Sequence, residues 1–412
     1  MEHYDPKFNG EWIGKHAPVS SDELFSILKR VVACDSVFKN EYALGLLIAD
    51  IAHEHGLQVE RQKVEEGRDN ILVTLGADTA YGTNHGLLFH GHYDTVPYLD
   101  MPDPLSARVQ NNRLWGRGSV DQKGGLVASL CALIAIKRKG IPLKRSLCLA
   151  AVVDEESEHR GSYALSESDI RADYAIVTEP THLKAVEFGH LGSSPIVIRV
   201  EGKTAHASVA SEGVNAIEKA MPILERLFKI ELPTVDLGEL GIAQGTLCVS
   251  MMEAGTAYNN VPHEAFIRMD RRTVPGETSK SALADIEAII ADRKRVDPSI
   301  IATARIERPD WSWPPIIARG LNPALTPSDT PLFDYLQQAA SKAGLLRLEK
   351  RFSSCYYDMD FLVNDLKIPT LVYGPGDGRL NHSAAEEIDI DDVARAAEIY
   401  SELANKLCIE PC

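Results

Sequence analysis

Apolar positions recur along the chain in two alternating rhythms. "SSDELFSILKRVVA" carries Leu24, Ile27, Leu28 and Val31 at helical spacing behind a capping box made by Ser20 and Glu23, and so predicts a helix. "EYALGLLIADIAHEHG" predicts a second, stopped at Gly56. Short apolar runs at "NILVTL", "GLLFHG", "RSLCLAAVV" and "DYAIVTE" read as buried strands, with the helix-like "GGLVASLCALIAIKRKG" between the second and the third. That order predicts an α/β sheet with helices on its faces. From about Gly192 the style changes to "SPIVIRVEG", a helix in "GVNAIEKAMPILERLFKI", strands "TLCVSMMEAG" and "EAFIRMDRR", a helix in "SKSALADIEAIIADRKR" and a strand "IIATARIE". Later, "DTPLFDYLQQAASKAG" and "IPTLVYGPG" resume the first style, so the middle reads as an α+β insertion. The expected division is a catalytic α/β domain over 1–191 and 310–412, interrupted by a smaller domain over 192–309.

Length supports that division, since 412 residues exceed one ordinary core. Lys and Arg total 43 against 59 Asp and Glu, a formal charge of -16, which repels phosphate backbones and anionic lipid. Neither nucleic acid nor membrane is therefore an expected partner. No unbroken apolar run of membrane-spanning length stands out, and "MEHYDPKFNGEW" lacks a basic and then apolar leader pattern. The seven cysteines, at 34, 131, 148, 248, 355, 408 and 412, contain no C-x-x-C and mostly lie in apolar runs, so they read as reduced core thiols. A cytoplasmic protein is expected.

Polar residues appear where the strands stop. His92 and Asp94 follow "LLF"; Asp121 lies in "GRGSVDQKGG"; Asp154, Glu155 and Glu156 follow "AAVV"; Glu179 follows "AIV"; His382 lies in "LNHSAAEE". Ligands of an open α/β sheet bind beyond the carboxyl ends of its strands, where these groups would converge. Taken singly, a histidine after a strand reads as a core or surface residue, and "DEESE" as a solvated loop. Together they are a nitrogen and oxygen donor set suited to zinc, cobalt or manganese, and the absence of cysteine argues against a structural zinc knot. On an extended segment, His92 and Asp94 share a face with Cα atoms about 6.6 Å apart. The Asp94 carboxylate is thus expected to accept from the ring nitrogen that does not bind metal. Adjacent Glu155 and Glu156 point in different directions, so one can hold metal while the other faces an attacking water.

The motifs "GHYDTVP", "GRGSVDQKGG", "DEES", "TEPT", "GKTAHAS", "NNVPHEAFIRMDRRTVPGE", "YGPGD" and "NHSAAEE" occur in this order over roughly residues 20 to 395. In them the chain resembles the co-catalytic zinc amidohydrolases and peptidases: aminoacylase, acetylornithine deacetylase, succinyl-diaminopimelate desuccinylase and glutamate carboxypeptidase. The resemblance implies a mixed-sheet metallohydrolase domain interrupted by a lid that often dimerises. It implies two divalent ions per chain, zinc or else cobalt or manganese. His92 and Glu179 would hold one ion, Glu156 and His382 the other, and Asp121 would bridge them. Glu155 would be the general base and Asp94 the orienter. In the lid, His206 would help polarise the scissile carbonyl, Asn259 would bind substrate and Arg272 would hold a substrate carboxylate; otherwise these read as a surface histidine, a turn residue and a rim charge.

The implied activity is hydrolysis of an amide-type C–N bond in a small carboxylate-bearing substrate, such as an N-acyl amino acid, a dipeptide or an aromatic amide. Tyr356 and Tyr357 stand where many relatives carry small residues before an aspartate, here Asp358, so Tyr357 is a candidate substrate contact or a residue that packs on its loop. The glycine that usually follows the acidic pair closely is displaced to Gly161, and His159 and His190 have no assigned role. Two other readings remain: hydrolytic deamination of an aromatic amine by the same chemistry, and a metal-free relative used for binding. A serine hydrolase is disfavoured because no G-x-S-x-G occurs, and a Rossmann dehydrogenase because no G-x-G-x-x-G follows the first strand.

Overall fold

A computed structural model of the chain describes residues 19–76, 84–308 and 311–409. The N-terminal "MEHYDPKFNGEW" and Cys412, both used above, lie outside the described residues. Two compact units are present. Among the described residues, one comprises 19–76, 84–189, 326–351 and 358–409, the other 190–308 and 311–325 with the short return Phe352–Tyr357.

The first unit is built on a mixed sheet. Its strands lie in the order Gln58–Glu65, Arg68–Leu75, Ser146–Val152, Asn84–His92, Arg171–Val177, Thr370–Val372 and Ala185–His190. Ser146–Val152, Asn84–His92, Arg171–Val177 and Thr370–Val372 run parallel, and the strands flanking them pair antiparallel. The parallel strands are the apolar runs of the sequence because both of their faces are covered. Gln58–Glu65 is not legible as a strand; apart from Val59 and Val64 its residues are polar, most are exposed, and it forms by pairing with Arg68–Leu75.

Helix Ser21–Val32 begins at Ser20, whose hydroxyl accepts from the N–H of Glu23 at 3.2 Å, as the capping pattern predicts. Gly124–Lys139 is apolar all round, and every residue from Gly124 to Ile136 is buried. The stretch Ser119–Lys139 is long and apolar enough to cross a membrane, although no single run in the sequence is unbroken; it is buried inside the protein as far as Ile136, and Lys137, Arg138 and Lys139 are exposed. Among the thiols, Cys131, Cys148 and Cys408 are core residues as expected, whereas Cys248 and Cys355 are exposed. Cys248 falls on an open face of its strand, which an apolar neighbourhood in sequence does not reveal.

The second unit is a four-stranded antiparallel sheet in the order Thr246–Ala254, Glu264–Thr273, Gly192–Glu201 and Ile301–Ile306. Burial alternates strictly along Glu264–Thr273, and helices Ala216–Leu227 and Ser279–Val296 cover the inward face. Ile196, Ile198, Ile223, Ile267 and Ile286 form its core. The sequence reading closes this unit at 309. In the structure residues through Leu325 belong to it as well, with Ser193 N–H donating to Leu321 O at 2.9 Å. So does Phe352–Tyr357, where Phe352 packs on Leu191, Ala243 and Val274.

Candidate metal centre

The parallel strands end together, and the polar groups collect at their carboxyl ends. His92 is the last residue of Asn84–His92, Glu155 and Glu156 follow Ser146–Val152, and Glu179 follows Arg171–Val177. A Cβ at Gly91 would lie 2.6 Å from Oε1 of Gln122 and 2.8 Å from the hydroxyl of Thr178, so a larger residue there would displace these two side chains. Asp121 comes from the irregular turn Ser119–Lys123 ahead of the buried helix, and His382 from a loop near the C-terminus.

Asp121 lies between the two histidines. Its Oδ1 is 3.0 Å from Nε2 of His92 and its Oδ2 is 3.2 Å from Nε2 of His382. Nε2 of His92 also lies 3.5 Å from Oε1 of Glu179 and 4.0 Å from Oε2 of Glu155, while Nε2 of His382 lies 3.1 Å from Oε1 of Glu156. Donor atoms of His92, Asp121 and Glu179 fall within 4.8 Å of one another, and so do those of Asp121, Glu156 and His382. Two overlapping triads thus share Asp121.

Asp94 differs from expectation in detail. Nδ1 of His92 is 3.0 Å from the Asp94 backbone carbonyl, and the carboxylate is 3.6 Å away. That carboxylate instead accepts from the N–H groups of Glu155 at 3.1 Å and Glu156 at 3.0 Å. It thereby pins the acidic turn. The main chain turns sharply there, with Asp154 at φ 70°, and Arg68 anchors the turn from behind through Asp154 at 2.5 Å and Glu41 at 2.9 Å. All three of these ionic side chains are buried.

Two orienting residues escaped the sequence reading. Gln122 donates to the Glu179 carboxylate and accepts from Thr178 Oγ1 at 2.9 Å. Glu386, fully buried, accepts from the N–H groups of Gly118 at 3.0 Å, Val120 at 3.0 Å and Asp121 at 3.1 Å, and from Arg117 at 2.7 Å. Both fall inside quoted motifs, "GRGSVDQKGG" and "NHSAAEE", which was the available signal.

The electrostatics of the cluster bear on what it can hold. Burial and the Asp121 charge push Glu179 up to about 7, and burial pushes Glu155 well above the usual carboxylate range. Burial opposes ionisation of Asp121, but the two histidines outweigh it and hold that carboxyl low. Hydrogen bonds to Asp121 and Glu156 raise His382 to about 10. With protein atoms alone, protonated imidazoles must supply the positive charge that the carboxylates require. Divalent cations ligated by neutral imidazoles would supply it instead, so the donor set fits a metal pair.

The remaining candidates belong to the second unit. His206 is exposed, with Nδ1 accepting from the N–H of Ser208 at 3.2 Å. The N–H of Ala207 donates to Asn259 O at 2.8 Å, which brings His206 and Asn259 into neighbouring turns. Arg272 donates to Asp270 at 2.9 Å. Tyr356 and Tyr357 stack edge-on against His190, with ring centroids 4.9 and 5.8 Å away.

A mixed sheet with carboxylates and histidines gathered at its strand ends is the arrangement of a metallohydrolase. Residues 88–406 match the model of peptidase family M20/M25/M40, and the chain belongs to that family; it is a hydrolase acting on C–N bonds. It is similar to acetylornithine deacetylase of Klebsiella pneumoniae, 28% identical over 93% of this chain and 97% of that protein. Acetylornithine deacetylase of Photorhabdus laumondii is 27% identical over 91% of this chain and 92% of its own. Among solved structures, a tripeptidase from Staphylococcus aureus shares the fold with a TM-score of 0.75 and 21% identity, covering 93% of this chain and 98% of that one. A dinuclear metal binding peptidase of the M20 family from Bacillus subtilis gives a TM-score of 0.68 and 14% identity over 93% and 97%.

Proposed function

We propose that the protein hydrolyses the amide C–N bond of a small carboxylate-bearing substrate, an N-acyl amino acid or a dipeptide-like molecule. Its cofactor in this reading is a pair of divalent ions, zinc or else cobalt or manganese. The observation that carries this is the division of Asp121, one oxygen toward His92 and the other toward His382. His92 and Glu179 would hold one ion, Glu156 and His382 the other, with Asp121 shared. When bound, such ions lower the pKa of water toward neutrality and polarise a carbonyl.

The chain's own residues would do the rest. Glu155, with its backbone fixed by Asp94 and a carboxyl already inclined to hold a proton, would take one from the attacking water. It would return that proton to the departing nitrogen as the C–N bond breaks, leaving a carboxylate and an amine. His206 would donate to the carbonyl oxygen as negative charge develops there, Asn259 would bind the amide, and Arg272 would exchange Asp270 for a substrate carboxylate. The relatives named acetylornithine deacetylase and tripeptidase support an acyl amino acid or peptide. Tyr357, beside Tyr356 and His190, would favour a substrate with an aromatic group.

The second unit would also pair two copies into a dimer. Thr246–Ala254 is an edge strand whose Met251 and Met252 are exposed, a strand edge suited to a second copy. The buried thiols Cys131 and Cys148 suit a reducing compartment, and we assign the protein to the cytoplasm. The test is metal content of purified protein together with a screen of N-acyl amino acids, dipeptides and aromatic amides. Hydrolysis lost on chelation and restored by zinc, cobalt or manganese is expected; full activity in metal-free protein would overturn the reading.

A further inference from the structure

Beside the two triads lies another group of donors, of which the proposed reaction uses Glu155 and leaves the other two unused. Glu155, His159 and Asp358 each offer an atom within 4.8 Å of the others. His159 and Asp358 are both buried. His159 sits at φ 54°, a left-handed conformation that an ordinary side chain rarely adopts. That conformation aims its ring at the carboxylate: Nδ1 is 2.8 Å from Oδ1 of Asp358. The other oxygen of Asp358 is fixed independently. Ser162 donates its hydroxyl proton to Oδ2 at 2.5 Å, so His90, whose Nε2 is 2.8 Å from Ser162 Oγ, must donate to that hydroxyl. Asp358 is therefore held with Oδ1 toward His159.

We propose that Glu155, His159 and Asp358 form an additional zinc site, occupied reversibly when zinc is in excess, and that filling it takes Glu155 out of use. The proposal rests on the reading of Glu155 as general base. One nitrogen and two carboxylates are a zinc donor set. Two ligands about 2.0–2.1 Å from a tetrahedral zinc stand about 3.3 Å apart, so the His159–Asp358 pair has only to open by about half an ångström. Charge favours the ion as well. A single imidazolium can neutralise one of the two carboxylates, and a divalent cation neutralises both with the ring neutral. On binding at Nδ1, the ring keeps its one proton at Nε2.

The test uses the holoenzyme freed of excess metal, with zinc chloride as the probe, and counts bound zinc by equilibrium dialysis alongside initial rates. Wild-type protein should take up a further equivalent beyond two and lose activity as it does so. His159→Asn tolerates the left-handed backbone and keeps an N–H toward Asp358 but is a poor zinc ligand. It should keep two equivalents and its basal rate, and need at least ~10-fold more zinc for both effects. No further equivalent at large zinc excess, or one bound equally by His159→Asn, overturns the site. If His159→Asn does not fold, Glu155→Gln replaces it in the dialysis arm; unchanged uptake of the further equivalent there overturns the site too. The two readings separate cleanly. Normal turnover in Glu155→Gln, with the further equivalent lost in His159→Asn, removes the base assignment and leaves this site standing. An inactive Glu155→Gln beside a wild type that binds only two equivalents does the reverse.

Discussion

The carboxylate of Glu386 accepts the backbone N–H of Asp121 at 3.1 Å, so a residue near the end of the chain fixes the one carboxylate common to both triads. The same side chain holds Gly118 and Val120. Replacing it with alanine frees that turn and leaves the three N–H groups and Arg117 without their shared acceptor. Glu386→Ala is expected to fold less stably and to bind its metal roughly 10- to 100-fold more weakly, as measured by competition with a chelator. Affinity equal to wild type would mean that the turn holds its shape unaided.

In the proposed reaction the acidic turn divides two roles between adjacent residues. Glu155→Gln should keep its metal and lose roughly 100-fold or more in kcat, because the amide cannot take a proton. Glu156→Gln should mainly lose metal affinity, since Glu156 faces His382. Metal analysis alongside kcat checks both. Near-normal turnover in Glu155→Gln would exchange the assignments.

His206 is exposed and lies in the second unit, whereas every proposed metal ligand lies in the first. If the dimer proposed above forms and His206 serves the partner's site, mixing His206→Ala with Glu155→Ala chains restores activity. A heterodimer would then have one site with both lesions and one with neither, so random pairing regains about a quarter of wild-type sites. A mixture that stays inactive, with subunit exchange shown by a mass tag, assigns His206 to its own chain.

Away from the centre, Glu398 on helix Ile390–Ala404 gives a pH signature. Burial first, and then the neighbouring Glu402, push its carboxyl from 4.5 up to about 7. The folded chain then binds more protons than the unfolded one between those values, so this group's contribution to stability falls as pH rises through that window. Glu398→Gln should raise Tm relative to wild type at pH 8 and much less at pH 5. An equal shift at both values would show that ionisation of Glu398 plays no part.

Much of the architecture is present in the order of residues. Helix and strand periods, and the capping pattern at Ser20, are local properties, so Ser21–Val32, Asn84–His92 and the buried helix Gly124–Lys139 follow from neighbouring residues alone. Charged groups directly after apolar strands are local too, which is why His92, Glu155, Glu156 and Glu179 stand out. The polar strand Gln58–Glu65 has no such signature, because pairing with Arg68–Leu75 rather than its own composition makes it a strand. Only the folded chain decided the rest. It set the Asp94 carboxylate on two backbone N–H groups, 3.6 Å from the His92 ring, because pinning a sharp turn requires acceptors that a side-chain spacing cannot anticipate. It brought Glu386 under Asp121 and His159 onto Asp358, pairs separated by 265 and 199 positions. Sequence specifies which groups exist and which elements carry them; the meeting of distant loops depends on how those elements pack, and that packing is a property of the whole core.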